Sequence, residues 1–297
     1  MRVLITGATG HVGRLVAAGA VAAGAQVRAL TRDPGAAAAL LPPEAERVAG
    51  DLRRPEGLAA ALRGVEALYL FAVPETAAEV VDAAKRAGVR RVVTLSSGAV
   101  TFGIDTTYHL PVERAVEASG LAWTHVRPGE FMLNRLWTWG PSIRAERTVR
   151  DPTPDAAWAP VHERDIAEVA LAALLEEGHE GAAYTLNGPG TLSRRAQAEA
   201  IGAALGEEVR FERVTPEQAR EEYRALGGFA AEHADLLLGF RDYDGSPADP
   251  SESSDSSDPS AQDDQPFGGP LPTAADVLHR PARTFAQWAH DHAEDFR

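Results

Sequence analysis

An open, doubly wound parallel β-sheet with helices on both faces, followed by a smaller C-terminal α+β lobe, is the α/β fold that this sequence predicts. Three observations carry the prediction. The chain begins with a short apolar run, Val3-Leu4-Ile5, that leads into Gly7-Ala8-Thr9-Gly10-His11-Val12-Gly13 and then into an alanine-rich helical stretch, 14–23. Apolar strand-like runs then alternate with helix-like stretches as far as residue 126, the pattern of βαβ crossovers around a parallel sheet. At 297 residues without a cysteine, the chain can bury a full core as one such domain plus a lobe, and it excludes disulfides, thiolate catalysis and cysteine-ligated zinc.

Taken in order, the glycines give the first functional reading. Gly7 lets the chain turn sharply off the first strand, Gly10 lets backbone N–H groups approach a pyrophosphate, and Gly13 lets the helix pack closely on the sheet. Their place between a strand and a helix makes this a dinucleotide-binding turn of Rossmann type, and Gly7, Thr9, Gly10, His11 and Val12 are assigned to the cofactor. The second strand, Gln26–Thr31, ends at Arg32. There an NAD-binding protein carries Asp or Glu for the ribose 2′-hydroxyl, and an NADP-binding protein accepts Arg beside the 2′-phosphate. NADP(H) is therefore expected in preference to NAD(H), with the adjacent Asp33 working against that preference.

Further strands are expected at 45–49, 67–72, 91–95 and 122–126, with helices at 55–62, 75–87 and 108–119. In such sheets ligands bind beyond the carboxyl ends of the strands. Asp51 and Leu52 are thus placed near the adenine, and Phe71, Ala72 and Val73 beside the ribose and towards the nicotinamide. Ser96 and Ser97 follow the fifth strand, and Pro128 and Phe131 follow the sixth. The Rossmann-type domain is expected over 1–187, with 131–155 contributing to the substrate cleft, and the small substrate lobe over 188–297. Within that lobe 192–238 reads as helices around a strand at 209–213, a last helix is expected at 281–289, and another at 165–177 precedes the lobe. His162-Glu163-Arg164-Asp165 is read as helix capping and surface charge, because adjacent positions give no converging ligand set; no metal is expected.

The net charge is −14 and uneven: from 242 to 279 there are nine acidic residues and no Lys or Arg. The stretch 244–270 has few apolar side chains and is predicted to be a disordered loop, read first as a solvated insertion, with a protein partner as the alternative. An acidic chain lacks the basic surface that nucleic acid requires. No apolar run approaches the roughly 20 residues that cross a bilayer, and the first strand leaves no room for a leader, so a cytoplasmic protein is expected.

Together, Thr6–Gly13 of the turn, Leu30-Thr31-Arg32-Asp33-Pro34, the run Arg127-Pro128-Gly129-Glu130-Phe131-Met132-Leu133-Asn134, and Arg280-Pro281-Ala282-Arg283-Thr284-Phe285 resemble the NmrA-like group of atypical short-chain dehydrogenases/reductases. The resemblance covers nearly the whole chain outside the acidic insertion. It implies a Rossmann domain with a small C-terminal lobe, and a group that includes NADPH-dependent quinone and azo-dye reductases, isoflavone-type reductases and NADP-binding sensors. One departure stands out. The Tyr-x-x-x-Lys dyad of typical short-chain dehydrogenases, in which Lys lowers the Tyr pKa, is absent: Tyr108 is followed four positions later by Val112, and Lys85 is the only lysine.

In its place His109, Glu113 and Arg114 resemble the His-x-x-x-Glu-Lys/Arg stretch of the quinone-reducing members. His109 and Glu113 share one helix face, so Glu113 either orients His109 or forms a surface salt bridge. Tyr108, His109, Glu113 and Ser97 are the candidate catalytic residues. Phe71, Phe131, Trp137 and Trp139 are candidate walls of an apolar pocket, with core packing as the alternative for the tryptophans. The expected activity is hydride transfer from NADPH to a small-molecule acceptor: a quinone, enone or ketone. The alternatives are a non-catalytic NADP(H) sensor and a redox-neutral epimerase, dehydratase or cyclase.

Overall fold

The computed structural model describes residues 1–242, 245–248 and 274–297; apart from 245–248, the loop expected at 244–270 lies outside the described residues. Contacts divide the chain into two compact units. The first comprises Met1–Pro128, Glu163–Leu186 and Ala274–Arg280, the second Gly129–His162, Asn187–Thr273 and Pro281–Arg297.

In the first unit, β1 (Arg2–Ile5), β2 (Gln26–Thr31), β3 (Glu46–Ala49), β4 (Ala67–Phe71), β5 (Arg91–Leu95), β6 (Ala122–Pro128) and a last strand, Ala182–Leu186, form one seven-stranded parallel sheet. The order runs β3, β2, β1, β4, β5, β6, then the last strand, so the winding reverses between β1 and β4 and the loops after them flank the switch point. Apolar residues in every central strand build the core, among them Leu4, Leu30, Leu68 and Val92, closed by Val80, Val112 and Val116 from the helices. Helix His11–Ala22 buries Val12, Gly13, Val16, Ala17 and Ala20, one face at helical spacing made of small residues. Its back meets helix Glu163–Leu175 so closely that a Cβ on Gly19 would lie 2.6 Å from Leu171 Cδ2. The sheet contains a strand that strand alternation had not supplied: Ala182–Leu186 is short and half polar, and its register on β6 (Thr124↔Ala182 to Pro128↔Leu186) defines it.

The domain boundary expected near 187 is corrected in two places. Residues 129–162 fold with the second unit, because Met132, Trp139, Ile143 and Val149 share a core with Ile201, Leu205, Trp288 and Phe296. Residues 274–280 join the first unit, where Arg280 donates to Asp165 (2.8 Å) and to Glu168. Elsewhere in the second unit the strand expected at 209–213 is Arg210–Arg213, paired in parallel with Thr148–Asp151. Three of its helices begin on side-chain caps: Ser193 for Arg194–Leu205, and full capping boxes at Thr215/Gln218 and Thr284/Gln287. Among the described residues no helix is long and apolar enough to cross a membrane.

Candidate active site

The glycine turn is built to receive an anion. Gly7 takes φ +58°, a conformation that costs glycine little, and its carbonyl accepts the N–H of Gly10 at 2.9 Å. The turn is held to the neighbouring strand by Thr6, whose hydroxyl donates to the Tyr69 carbonyl (2.9 Å) and accepts from the Phe71 N–H (2.7 Å). Gly10 precedes helix His11–Ala22 in an extended conformation, and no side chain caps the helix. The first N–H groups of a helix have no intrahelical partner, so this end offers donors and the positive pole of the helix dipole to a pyrophosphate.

Beside the turn lies a cleft of about 350 Å³, whose lining includes Gly7, Thr9, Arg32, Asp51, Phe71 and Val73. It brings together half of the cofactor residues read from sequence, with Leu52 also in its wall, and its lining does not include Gly10, His11, Ser96 or Phe131. Val12, Ala72 and Pro128 are buried rather than open to it. Both acidic residues of the lining, Asp33 and Asp51, are engaged locally. Asp33 Oδ1 accepts the N–H groups of Gly35 (2.9 Å) and Ala36 (3.0 Å), and Asp51 Oδ1 accepts that of Arg53 (3.0 Å). Arg53 also lines the cleft, and among the described residues neither Arg32 nor Arg53 has a side-chain hydrogen bond or ion pair. Both guanidinium groups are exposed at the cleft. Sequence reasoning missed Arg53, although it adjoins the Asp51-Leu52 pair already singled out.

At the ends of β4 and β5 the catalytic candidates separate into two groups. Tyr108, 41 % exposed, donates from its hydroxyl to the Ala72 carbonyl at 3.3 Å. Partial burial and the nearby Glu75 hold its phenol above the usual tyrosine range, so it is a neutral O–H donor at neutral pH. His109 Nδ1 lies 2.5 Å from Asp105 Oδ2. The same carboxylate accepts the backbone N–H of Tyr108 (2.9 Å) and of His109 (3.1 Å) at the start of helix His109–Ala118. Asp105 is a second residue that sequence reasoning missed; its signal was an Asp placed just before a helix start.

Glu113 does not orient His109, contrary to that reading. It is 1 % exposed and receives two hydrogen bonds from Arg127, Nε to Oε1 at 2.9 Å and Nη2 to Oε2 at 2.6 Å. Nor is this a surface pair, because the helix face carrying Glu113 packs on β6. Burial opposes ionisation of Glu113, but Arg127 and the Ser96 hydroxyl outweigh it and hold the carboxyl below the usual range. Glu113→Gln is therefore expected to cost about 3 kcal/mol, since it strands the Arg127 guanidinium. Because the folded pKa is depressed, this contribution is complete above the ordinary Glu pKa and fades as pH falls through the folded value. Denaturant unfolding should show a constant gap between wild type and variant from about pH 8 to about pH 5, narrowing below.

Ser97 spends its hydroxyl at the start of helix Gly98–Thr101, accepting the Ala99 N–H at 3.2 Å. Among the described residues Glu113, Glu117 and His125 bring ligand atoms within 4.8 Å of one another. Arg127 already occupies both Glu113 oxygens, and its charge opposes a cation there, so the cluster reads as a packing network between helix and strand. Within the second unit, Phe131 is half-buried and bridges to Val161, and Trp137 packs on Phe229 with ring centroids 4.5 Å apart. Trp139 takes the core-packing alternative: it is fully buried, with the Arg135 guanidinium 4.4 Å from its ring centroid.

Residues 7–177 match the model of a family described as NAD(P)H-binding. The chain belongs to that family. The match begins at the glycine turn and ends just past helix Glu163–Leu175, so it follows the first unit and the segment inserted in it, and the resemblance to NmrA-like reductases holds. The chain is 36 % identical over 99 % of both chains to a (4-alkanoyl-5-oxo-2,5-dihydrofuran-3-yl)methyl phosphate reductase of Streptomyces griseus. It is 34 % identical, again over 99 % of both, to an NAD(P)H azoreductase of Xenophilus azovorans. Among solved structures, the Citrobacter sp. triphenylmethane reductase complexed with NADP(H) shares the fold, with a TM-score of 0.77 at 20 % identity over 99 % of this chain and 100 % of the other.

Proposed function

We propose that the protein is an NADPH-dependent reductase that passes hydride to a small, flat, electron-poor acceptor, an enone or a quinone. That it is an NAD(P)H-dependent oxidoreductase follows from its family and from two full-length relatives that are both reductases. The preference for NADPH rests on one observation above all: among the described residues Arg32 and Arg53 stand unpaired in the cleft while Asp33 and Asp51 are tied to backbone N–H groups. The acceptor class is supported by the name of the Streptomyces relative, which describes an unsaturated lactone conjugated to a ketone.

When bound, the nicotinamide supplies the hydride. The chain's own residues bind, orient and exchange a proton. The uncapped helix His11–Ala22 holds the pyrophosphate, and Tyr108 and His109 stand as the proton-bearing groups after β4 and β5. An acceptor whose reduced form is itself stable asks little acid catalysis of them, which suits a site without the Tyr-x-x-x-Lys dyad. Mixing the protein with NADPH and a panel of enones and quinones should give acceptor-dependent loss of the NADPH absorbance. Tight NADPH binding with no loss against any acceptor would count against turnover.

A further inference from the structure

We propose that Asp105 is the positioning residue for proton delivery, holding the His109 ring so that Nε2 is the nitrogen that exchanges the proton. This rests on the reading of His109 as a proton-bearing group. Asp105 is 1 % exposed. Its Oδ1 accepts the Tyr108 N–H at 2.9 Å, its carboxylate accepts the His109 N–H at 3.1 Å, and its Oδ2 lies 2.5 Å from His109 Nδ1. Three donors from two consecutive residues thus converge on one buried carboxylate. Asp105 is itself fixed, because its N–H donates to the Ala99 carbonyl at 3.1 Å.

The tautomer follows from that geometry. An ionised carboxylate has no hydrogen to share, so the hydrogen between Asp105 and His109 belongs to Nδ1. Burial works against ionisation of Asp105, yet the His109 and backbone donors hold its carboxyl below the usual range, in accord with an ionised partner. Nδ1 is then committed in both charge states of the ring. Nε2 has no hydrogen-bond partner among the described residues and is not buried, and it alone gains or loses a proton. A helix cap would need only the backbone contacts; the contact to Nδ1 is additional.

In the step this serves, the acceptor carbon receives hydride from the reduced nicotinamide and the acceptor oxygen takes the Nε2 proton. The imidazolium becomes a neutral ring protonated on Nδ1, Asp105 stays a carboxylate throughout, and water reprotonates Nε2. For an enone the same proton reaches the enolate that hydride addition leaves.

Long-range proton–nitrogen NMR correlation of the ring is the direct test, because it reads the tautomer without any assay. The wild-type neutral ring should be protonated on Nδ1; a ring protonated on Nε2 overturns the proposal whatever the variants do. Asp105→Asn keeps an oxygen for the backbone N–H groups but removes the charge. It should let the Nε2–H tautomer appear and lower kcat about tenfold, with the dissociation constant for NADPH nearly unchanged and the thermal midpoint lowered, because a stabilising buried charge is lost. In a His109→Gln background Asp105→Asn should change kcat less than twofold, whereas an equal loss in both backgrounds would mean that Asp105 does not act through His109. If Asp105→Asn alters the tautomer but His109→Gln leaves kcat intact, the reading of His109 fails, and the delivery role of Asp105 with it, while the hold on the ring stands.

Discussion

Gly13→Val is expected to destabilise the protein by at least about 3 kcal/mol and to abolish cofactor binding. A Cβ on Gly13 would lie 2.2 Å from the Gly7 carbonyl oxygen and 2.8 Å from its carbon, closer than any side chain comes to backbone. Gly7 has nowhere to retreat. Its own missing Cβ would already be 3.0 Å from Phe71 Cβ, and its carbonyl is held by the Gly10 N–H. The clash is therefore relieved only by moving the helix off the sheet or unwinding the turn, and either removes the backbone donors at the helix start. Denaturant unfolding and an NADPH titration check the two halves of the claim. Gly24→Ala is the control: Gly24 also has positive φ, +80°, but nothing lies within 4 Å of its Cβ position. It should cost about 1 kcal/mol from backbone strain and leave NADPH binding intact.

Arg32→Asp is expected to weaken NADPH binding by about two orders of magnitude while changing NADH affinity less than about threefold. A charge-assisted hydrogen bond to a phosphate contributes about 1.5–3 kcal/mol, and the substituted carboxylate adds repulsion of the 2′-phosphate. Arg53→Ala should act in the same direction but more weakly, because the phosphate keeps Arg32. Titrations with both nucleotides by protein fluorescence give the ratio. An unchanged NADPH/NADH ratio in Arg32→Asp would show that Arg32 does not read the 2′-phosphate. Salt should reduce the NADPH preference in wild type, since both side chains are exposed.

The part of this account that was legible in the sequence is the part set by local rules. Strand, glycine turn and the start of the helix lie within the first thirteen residues, and Arg32 follows the next strand; each is fixed by its immediate neighbours in the chain. The second unit was harder to read because its core draws on three separated segments. Trp139, Ile201 and Trp288 meet in one cluster, and no periodicity within any one segment shows that they do. The same limit explains the misreading of Glu113. Helical spacing correctly put it on one face with His109, but Arg127, fourteen positions away on β6, reaches its carboxylate first. His109 was left to Asp105, which sits in the irregular stretch before the helix where periodicity gives no guide.

The central claim is that this chain moves a hydride from NADPH to a flat acceptor held at the carboxyl ends of its strands. Isotope transfer from NADPH deuterated at nicotinamide C4 tests it most directly, with the two stereoisomers assayed separately against an enone and a quinone. For the enone, one isomer should deliver deuterium to carbon in the product, the other should deliver hydrogen, and NADP⁺ should form in equal amount. For the quinone, one isomer should slow the oxidation by a primary isotope effect. Bound NADPH that gives up neither isotope to any acceptor would contradict the claim, as would product formed without net oxidation of the nucleotide.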